Sequence, residues 1–391
     1  MLKKVPIVGN PIDIKDLSIG FLSLLRREYQ IELGSKFSEL LNTKYVYFTD
    51  SGTSSFYTVL KILKKEKEKN EVILPAYTAS SLIIAIQKAG LKPVLCDISP
   101  RDFNMDANLL SDLVSKHTLC ILSAHMFGIV DNELLRLKER FPDIFVVEDC
   151  AQSLGSEING KLVGNLADIG ILSFTRGKNL PTYGGGCIVT NSEKIASKIV
   201  TQIKKIKGQV LSQRILIPFK IIALSLAIRP LIYGLGSPFF SRFKDVKPPA
   251  DFEVKEYTNF QAAVALSLMD KIETYSKKRY ANGLRLIEGL KGIEDIKLPE
   301  IPENTQPAFN RFPIVFEDIE KMERVEKELD RDGIDTARMY LKPLHHIFDL
   351  GYKKEEFSIA SRFAERLLTL PVHPLMTDSQ LNKIVETIKN A

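Results

Sequence analysis

Three short motifs carry side chains whose types and spacing suit chemistry. Asp50-Ser51-Gly52-Thr53-Ser54-Ser55 lies between an apolar run and a helical pattern. Small residues at a helix amino terminus let a ligand approach free backbone amides, which with hydroxyl side chains make a seat for phosphate; an ordinary Ser or Thr N-cap has the same appearance. Val146-Val147-Glu148-Asp149-Cys150-Ala151-Gln152 ends an apolar run in two acids. Carboxyl ends of strands form the ligand crevice of an open α/β sheet, although Asp149 also suits a helix cap. In Ser173-Phe174-Thr175-Arg176-Gly177-Lys178-Asn179, followed by Tyr183-Gly184-Gly185-Gly186, a lysine leaves a strand into a Gly-rich turn. A partly desolvated lysine loses proton affinity and becomes a nucleophile able to form a Schiff base, whereas most lysines are solvated surface charges.

The elements that must position these motifs follow from periodicity. From about 45 to 190 the chain alternates short β-branched or aromatic runs with longer helical patterns, the rhythm of crossover units on a mostly parallel sheet. Strands are expected at Tyr45–Thr49, Val72–Leu74, Pro93–Cys96, Leu119–Ser123, Ile144–Glu148, Ile169–Phe174 and Gly186–Thr190. Helices are expected at Ser54–Lys65, Ser80–Ala89, Ala107–Lys116 and Glu133–Arg140. Several strands are apolar on both faces, so helices should cover both sides of the sheet. One α/β unit would then bring together a phosphate seat, an acid at a strand end and a lysine 29 positions after that acid. These are the three anchors that pyridoxal phosphate requires: donors for its phosphate, an anion for its ring nitrogen and an amine for its aldehyde.

Beyond 190 the character changes. A basic stretch (Lys194, Lys198, Lys204, Lys205, Lys207) leads into an apolar segment, Ile215–Phe240, and a link through Lys247-Pro248-Pro249. A long helical pattern runs from about Phe260 to Ile287, and the remainder reads as a smaller α+β unit with a strand near Arg311–Phe316 and helices near Ile319–Asp330 and Ser379–Lys389. The expected division is a cofactor-binding unit, 1–250, with the unusual segment 194–250, and a carboxyl-terminal unit, 251–391.

Composition excludes several classes. The 391 residues are 45% hydrophobic and 26% charged, ordinary globular proportions that rule out disordered, collagen-like and fibrous chains. A net charge of +6, from 54 basic and 48 acidic residues, is too dilute over this length to indicate nucleic acid. Cys96, Cys120, Cys150 and Cys187 lack metal-knuckle spacing, and no metal is expected; they read as reduced thiols of a cytoplasmic protein. Met1–Ser18 lacks the apolar core of a signal peptide. Lys220 and Arg229 bound an uncharged stretch far below the roughly 18 to 20 residues that cross a bilayer. On one helix those two charges would sit on opposite sides, so membrane-surface contact is not expected either.

At this point the sequence resembles the DegT/StrS group of nucleotide-sugar aminotransferases, pyridoxal-phosphate enzymes of fold type I. The resemblance runs from about residue 30 to the carboxyl terminus. Its carriers are Ser51-Gly52-Thr53, Leu74-Pro75-Ala76-Tyr77-Thr78, Glu148-Asp149-Cys150-Ala151-Gln152, Ser173-Phe174 with Lys178-Asn179, Gln261-Ala262-Ala263 and Leu370-Pro371-Val372-His373-Pro374. It implies a mostly parallel seven-stranded sheet with a smaller carboxyl-terminal domain. Lys178 would hold the cofactor and shuttle the proton, Asp149 would pair with the pyridinium nitrogen, and Gln152 would lie beside the ring. Gly52, Thr53 and Ser173 would hold the phosphate. The implied reaction moves an amino group from an amino acid, glutamate above others, to a keto-sugar nucleotide in a homodimer with shared active sites.

Two departures stand out. The family pattern places a stacking aromatic directly after the position of Thr78; here Ala79 stands there, with Tyr77 a candidate substitute. The pattern also has a Gly-aromatic-Asn element before the Gln-Ala-Ala helix, whose Asn reaches the neighbouring subunit's phosphate, and Asp251-Phe252-Glu253-Val254-Lys255-Glu256-Tyr257 does not contain it. His125, at the end of a strand, suits either a border of the cofactor or a hydrogen-bonded structural role. Arg338, Tyr340, His345 and His346 lie where the family's small domain approaches substrate. Two other readings stay open: a fold-type-I enzyme acting on a different keto or amino-acid substrate, and a non-enzymatic binding or regulatory relative.

Overall fold

Seven runs rich in β-branched and aromatic residues pair into one sheet in the computed structural model, which describes residues 3–26, 28–206, 208, 211–240 and 251–391. They are β1 (Tyr45–Thr49), β2 (Glu71–Pro75), β3 (Lys92–Cys96), β4 (Thr118–Ala124), β5 (Phe145–Asp149), β6 (Ile169–Ser173) and β7 (Gly186–Thr190). The order is β1-β7-β6-β5-β4-β2-β3. From β3 to β6 every pairing is parallel, and β7 runs antiparallel to both β6 and β1. Each expected strand is present with ends displaced by two residues at most.

Side-chain alternation explains why the strands are apolar throughout. Leu74, Leu122, Val147 and Ile171 face one core with Phe56, Leu60 and Ile83 from the helices Gly52–Leu63 and Ser81–Lys88. Ile73, Ile121 and Val146 face Leu134 and Leu137 of the helix Leu134–Arg140, while Leu172 and Val189 face Leu33 and Phe37 of the helix Tyr29–Leu41. That last core also takes in Tyr257, Phe260 and Ile272, from beyond position 250.

Two expected helices differ. Ala107–Lys116 is a short 3-10 turn, Ala107–Leu109, and a single helical turn, Leu110–Leu113. The pattern from 260 to 287 is two helices, Asn259–Met269 and Ile272–Leu290, broken at Asp270 and Lys271. The first is buried nearly all round, because it packs against the helices Ile14–Leu22 and Tyr29–Leu41; the second buries Leu286 and Leu290 against the carboxyl-terminal helix. Two cores in different directions require the break, and Lys271 secures it by donating to Asp13 and Asp16 at 2.9 and 2.7 Å.

The smaller sheet comprises β8 (Ile296–Lys297), β9 (Phe312–Phe316) and β10 (Leu367–Leu370), all antiparallel, under the helices Ile319–Arg331, Ser358–Arg366 and Asp378–Asn390. The apolar segment forms the helices Leu211–Ala227 and Pro230–Phe240, sharply bent at 98° where described between Arg214 and Gly236. Among the described residues no single helix is long and apolar enough to cross a membrane.

Candidate active site

The register that pairs Ala124 with Asp149 and Asp149 with Ile171 sets the carboxyl ends of β4, β5 and β6 side by side. His125, Asp149 and Ser173 therefore leave the sheet along one edge, the ligand edge of a parallel sheet. Asp149 is buried, and its Oδ1 accepts the Ala151 N–H at 2.9 Å. Burial pushes its pKa above the ordinary carboxylate value, with that N–H and the Lys178 charge pulling the other way. Burial likewise drives the Lys178 amine down to about 8; Asp149 opposes the drop and the Arg311 cation adds to it. A lysine so placed yields its free base far more readily than a solvated one.

The lysine loop is clamped from three directions. Asn10 Nδ2 donates to the Lys178 carbonyl at 3.0 Å, and Asn310 Nδ2 to the Gly177 carbonyl at 2.6 Å. Asn179 Nδ2 donates to Leu154 and Ala308 carbonyls at 2.9 and 3.1 Å. Gly177 holds φ +81°, a left-handed conformation that β-carbon-bearing residues rarely adopt. The fully buried Arg279 supports the clamp through the Phe309 carbonyl at 2.8 Å.

Glu148 and His125 hold the edge rather than face a ligand. The Asp131 N–H donates to His125 Nδ1 at 3.0 Å, so the proton sits on Nε2, which donates to Glu148 Oε1 at 3.1 Å. Glu148 also accepts the Gly164 and Leu166 N–H groups at 2.6 and 2.9 Å. Burial alone would raise its pKa, but His125 and the two amides outweigh it and hold the carboxyl below its ordinary value. Gln152 is buried, its Oε1 accepting the N–H of Phe127, whose φ is +58°.

At the helix Gly52–Leu63, Ser51 Oγ caps the Ser54 N–H at 3.1 Å. The amides of Gly52 and Thr53 head the helix, where no intrahelical acceptor exists. A β-carbon on Gly52 would sit 3.0 Å from Ser173 Cβ, so the two motifs form one narrow cradle. Thr53 Oγ1 donates to Ser81 Oγ at 3.1 Å, and Ser173 Oγ lies 3.3 Å from Thr175 Oγ1, which adds two hydroxyls that the sequence reading missed. The segment lacking the expected Asn runs past this cradle: Asp50 N–H donates to the Lys255 carbonyl at 3.0 Å, and Lys255 N–H to Asp50 Oδ1 at 2.9 Å.

Of the small-unit candidates, Tyr340 comes to the site, close enough for Asp149 and Arg311 to act on its hydroxyl. Arg338 does not: it pairs with Glu323 and Glu326. His345 and His346 pack on each other, with Nε2 of each against the Lys354 carbonyl. Tyr77 is fully buried, packed edge-on against Phe363 and Tyr340, with its hydroxyl donated to the Met339 carbonyl. It thus ties the end of β2 to the segment around Met339 instead of standing open as a platform. Asn10, Asn310 and Arg311 were missed altogether; the only local signal was an Asn-Arg pair at the start of a strand.

A sequence profile of the DegT/DnrJ/EryC1/StrS aminotransferase family matches residues 23–213 and 254–389. Among curated relatives, a protein of Geobacillus stearothermophilus named pleiotropic regulatory protein is 28% identical, over 82% of this chain and 77% of its own. The dTDP-3-amino-3,4,6-trideoxy-alpha-D-glucose transaminase of Micromonospora megalomicea subsp. nigra is 25% identical, over 87% and 83%. The solved structure of the sugar aminotransferase CalS13 from Micromonospora echinospora superposes with a TM-score of 0.79 at 20% identity, covering 99% of this chain and all of that one.

Proposed function

The chain belongs to the DegT/DnrJ/EryC1/StrS aminotransferase family, and from that premise we propose that it is a pyridoxal-phosphate-dependent enzyme that moves an amino group from an amino acid, glutamate above others, to a keto group of a nucleotide-linked sugar, in the cytoplasm, as a homodimer serving polysaccharide assembly. The observation that carries the reading is one site that joins a partly buried lysine on a clamped loop, its amine depressed, to a buried carboxylate at a strand end. The residues fit the cofactor. A β-carbon at position 52 would crowd Ser173 in the cradle, so glycine keeps the helix amides open to a phosphate, and Asp149 and Lys178 are the anion and amine that a pyridine aldehyde needs. Gly52, Thr53 and Ser173 would hold the phosphate, Asp149 the ring nitrogen, Lys178 the aldehyde carbon, and Gln152 would lie beside the ring. When bound, pyridoxal phosphate supplies an electron sink for the pair left on the donor carbon.

The chain's own residues do the rest. Lys178 Nζ takes and returns the proton, a task suited to an amine near neutrality. Asp149, whose ionised form the Ala151 N–H and the Lys178 charge favour against burial, would keep a proton on the ring nitrogen of the bound cofactor. Glu148 and His125 fix the strand end that carries Asp149, and the Asn10 and Asn310 clamps fix the Lys178 backbone. The transaminase name of the Micromonospora relative supports a sugar nucleotide as acceptor.

A second reading, a regulatory relative without catalysis, draws on the name of the Geobacillus protein. Purified wild type should absorb near the edge of the visible, lose that band on Lys178→Ala, and turn over a keto-sugar nucleotide with glutamate. A colourless wild type with no lysine tagged by borohydride and peptide mapping would leave only the regulatory reading.

A further inference from the structure

Arg311 enters β9 beside the lysine loop: a methyl group on Gly177 would lie 3.8 Å from its Nη2. Its Nε is shut off from solvent and has no hydrogen-bond acceptor among the described residues. The groups around the guanidinium are the phenols of Tyr77, Tyr340 and Tyr233, together with Asp335. Asp335 is engaged elsewhere, accepting Tyr233 Oη at 2.6 Å and lying 3.7 Å from Lys4 Nζ. A mostly buried guanidinium without a paired carboxylate is costly unless a ligand supplies the anion.

We propose that Arg311 is the receptor for the α-carboxylate of the amino donor. An α-amino acid carries its carboxylate on the carbon that bears the amine, so a group that receives the carboxylate must stand beside Lys178. A nucleotide sugar carries its diphosphate on the anomeric carbon, at least one ring atom away from a keto group at C3 or C4, so its charge is not tied to the reacting carbon as a donor carboxylate is. Guanidinium and carboxylate match as a two-bond fork, which fixes the donor's orientation as well as its charge. Tyr233, on the helix Pro230–Phe240, donates its hydroxyl to Asp335 Oδ2, so that carboxylate is already engaged by another donor.

The assignment rests on the aminotransferase reading, and its test separates the two. Calorimetry on the cofactor-loaded protein uses α-methyl-L-glutamate, which has no α-proton to lose, and isopropylamine, which has no carboxylate. Arg311→Gln should weaken α-methyl-L-glutamate on the order of 10²-fold and leave isopropylamine unchanged, with Arg311→Lys in between. A merely structural arginine would weaken both ligands together, and that result overturns the proposal, as does an Arg311→Gln variant that keeps its cofactor band and its affinity for α-methyl-L-glutamate. A wild type that carries no lysine-bound cofactor overturns the aminotransferase reading along with it.

Discussion

The strand-end site and the inserted helix pair 211–240 solve opposite problems. At the site the anchoring elements are held by polar partners: Glu148 has three N–H donors from ring and backbone, and the Lys178 loop has carbonyls taken by two asparagines. The insert buries a single stripe, Ile217, Ile221 and Ile228, and shows water Ile215, Leu216, Phe219, Leu226, Leu231 and Leu235. From position 214 onward it lies between the two stretches that match the family, 23–213 and 254–389. The contrast teaches that chemistry is built where the sheet leaves no freedom, while the helix pair outside the family match touches the rim of the site, among the described residues, through Lys220 over the Tyr183 ring and Tyr233 on Asp335.

The sharpest break of that contrast is Lys178→Ala, which should lower transamination at least on the order of 10⁴-fold, since one residue supplies both nucleophile and proton carrier. Asp149→Asn comes next, at about 10³-fold with cofactor retained. The same variant has a second readout on cofactor-free protein. Reductive methylation of Lys178 should rise through a midpoint near pH 8, where the amine titrates. Asp149 favours the charged lysine, so its loss should move that midpoint lower. A midpoint in the ordinary lysine range for either protein would mean that the amine is not buried as described.

His125→Ala tests the frame rather than the chemistry. It strips a donor from a fully buried carboxylate, at a cost of about 3 kcal/mol in unfolding free energy at neutral pH. The pH dependence has a definite sign. The folded pKa of Glu148 is depressed, so its contribution is fully present above the ordinary value of about 4.3 and is lost as pH falls through the lower, folded value. Denaturant titrations should therefore show the gap between wild type and variant narrowing below pH 4.3. A gap that widens there would contradict an ionised Glu148.

Much of this was legible in the sequence, for local reasons. The seven strands are short, bounded by turns and apolar on both faces, and the three motifs lie at their ends, so the fold and the meeting of those motifs at one sheet edge follow from pattern. What escaped is non-local. Asn310 meets Gly177 across 133 positions and Asn10 meets Lys178 across 168, and no spacing announces such pairs. The long helix read from 260 to 287 failed because periodicity reports that a face is buried but not against which core. His125 stayed open between two roles until its two ring nitrogens were seen to be engaged by Glu148 and the Asp131 amide.

The finest test lies within the insert, where its two faces should behave as differently as the insert and the site do. Ile221 is fully buried against the core that holds Leu33 and Phe37, so Ile221→Ala removes packed methyl groups and should cost about 2 to 3 kcal/mol. Phe219, two positions away, is 63% exposed, and Phe219→Ser should shift unfolding by less than about 0.5 kcal/mol. Neither should change the cofactor band, because no group of this helix lies among those that hold Asp149 or Lys178. Equal costs at the two positions would mean that the outer face is covered in the working protein. The insert would then be an interface, and its apolar surface would have to be explained by what lies against it rather than by the fold that carries it.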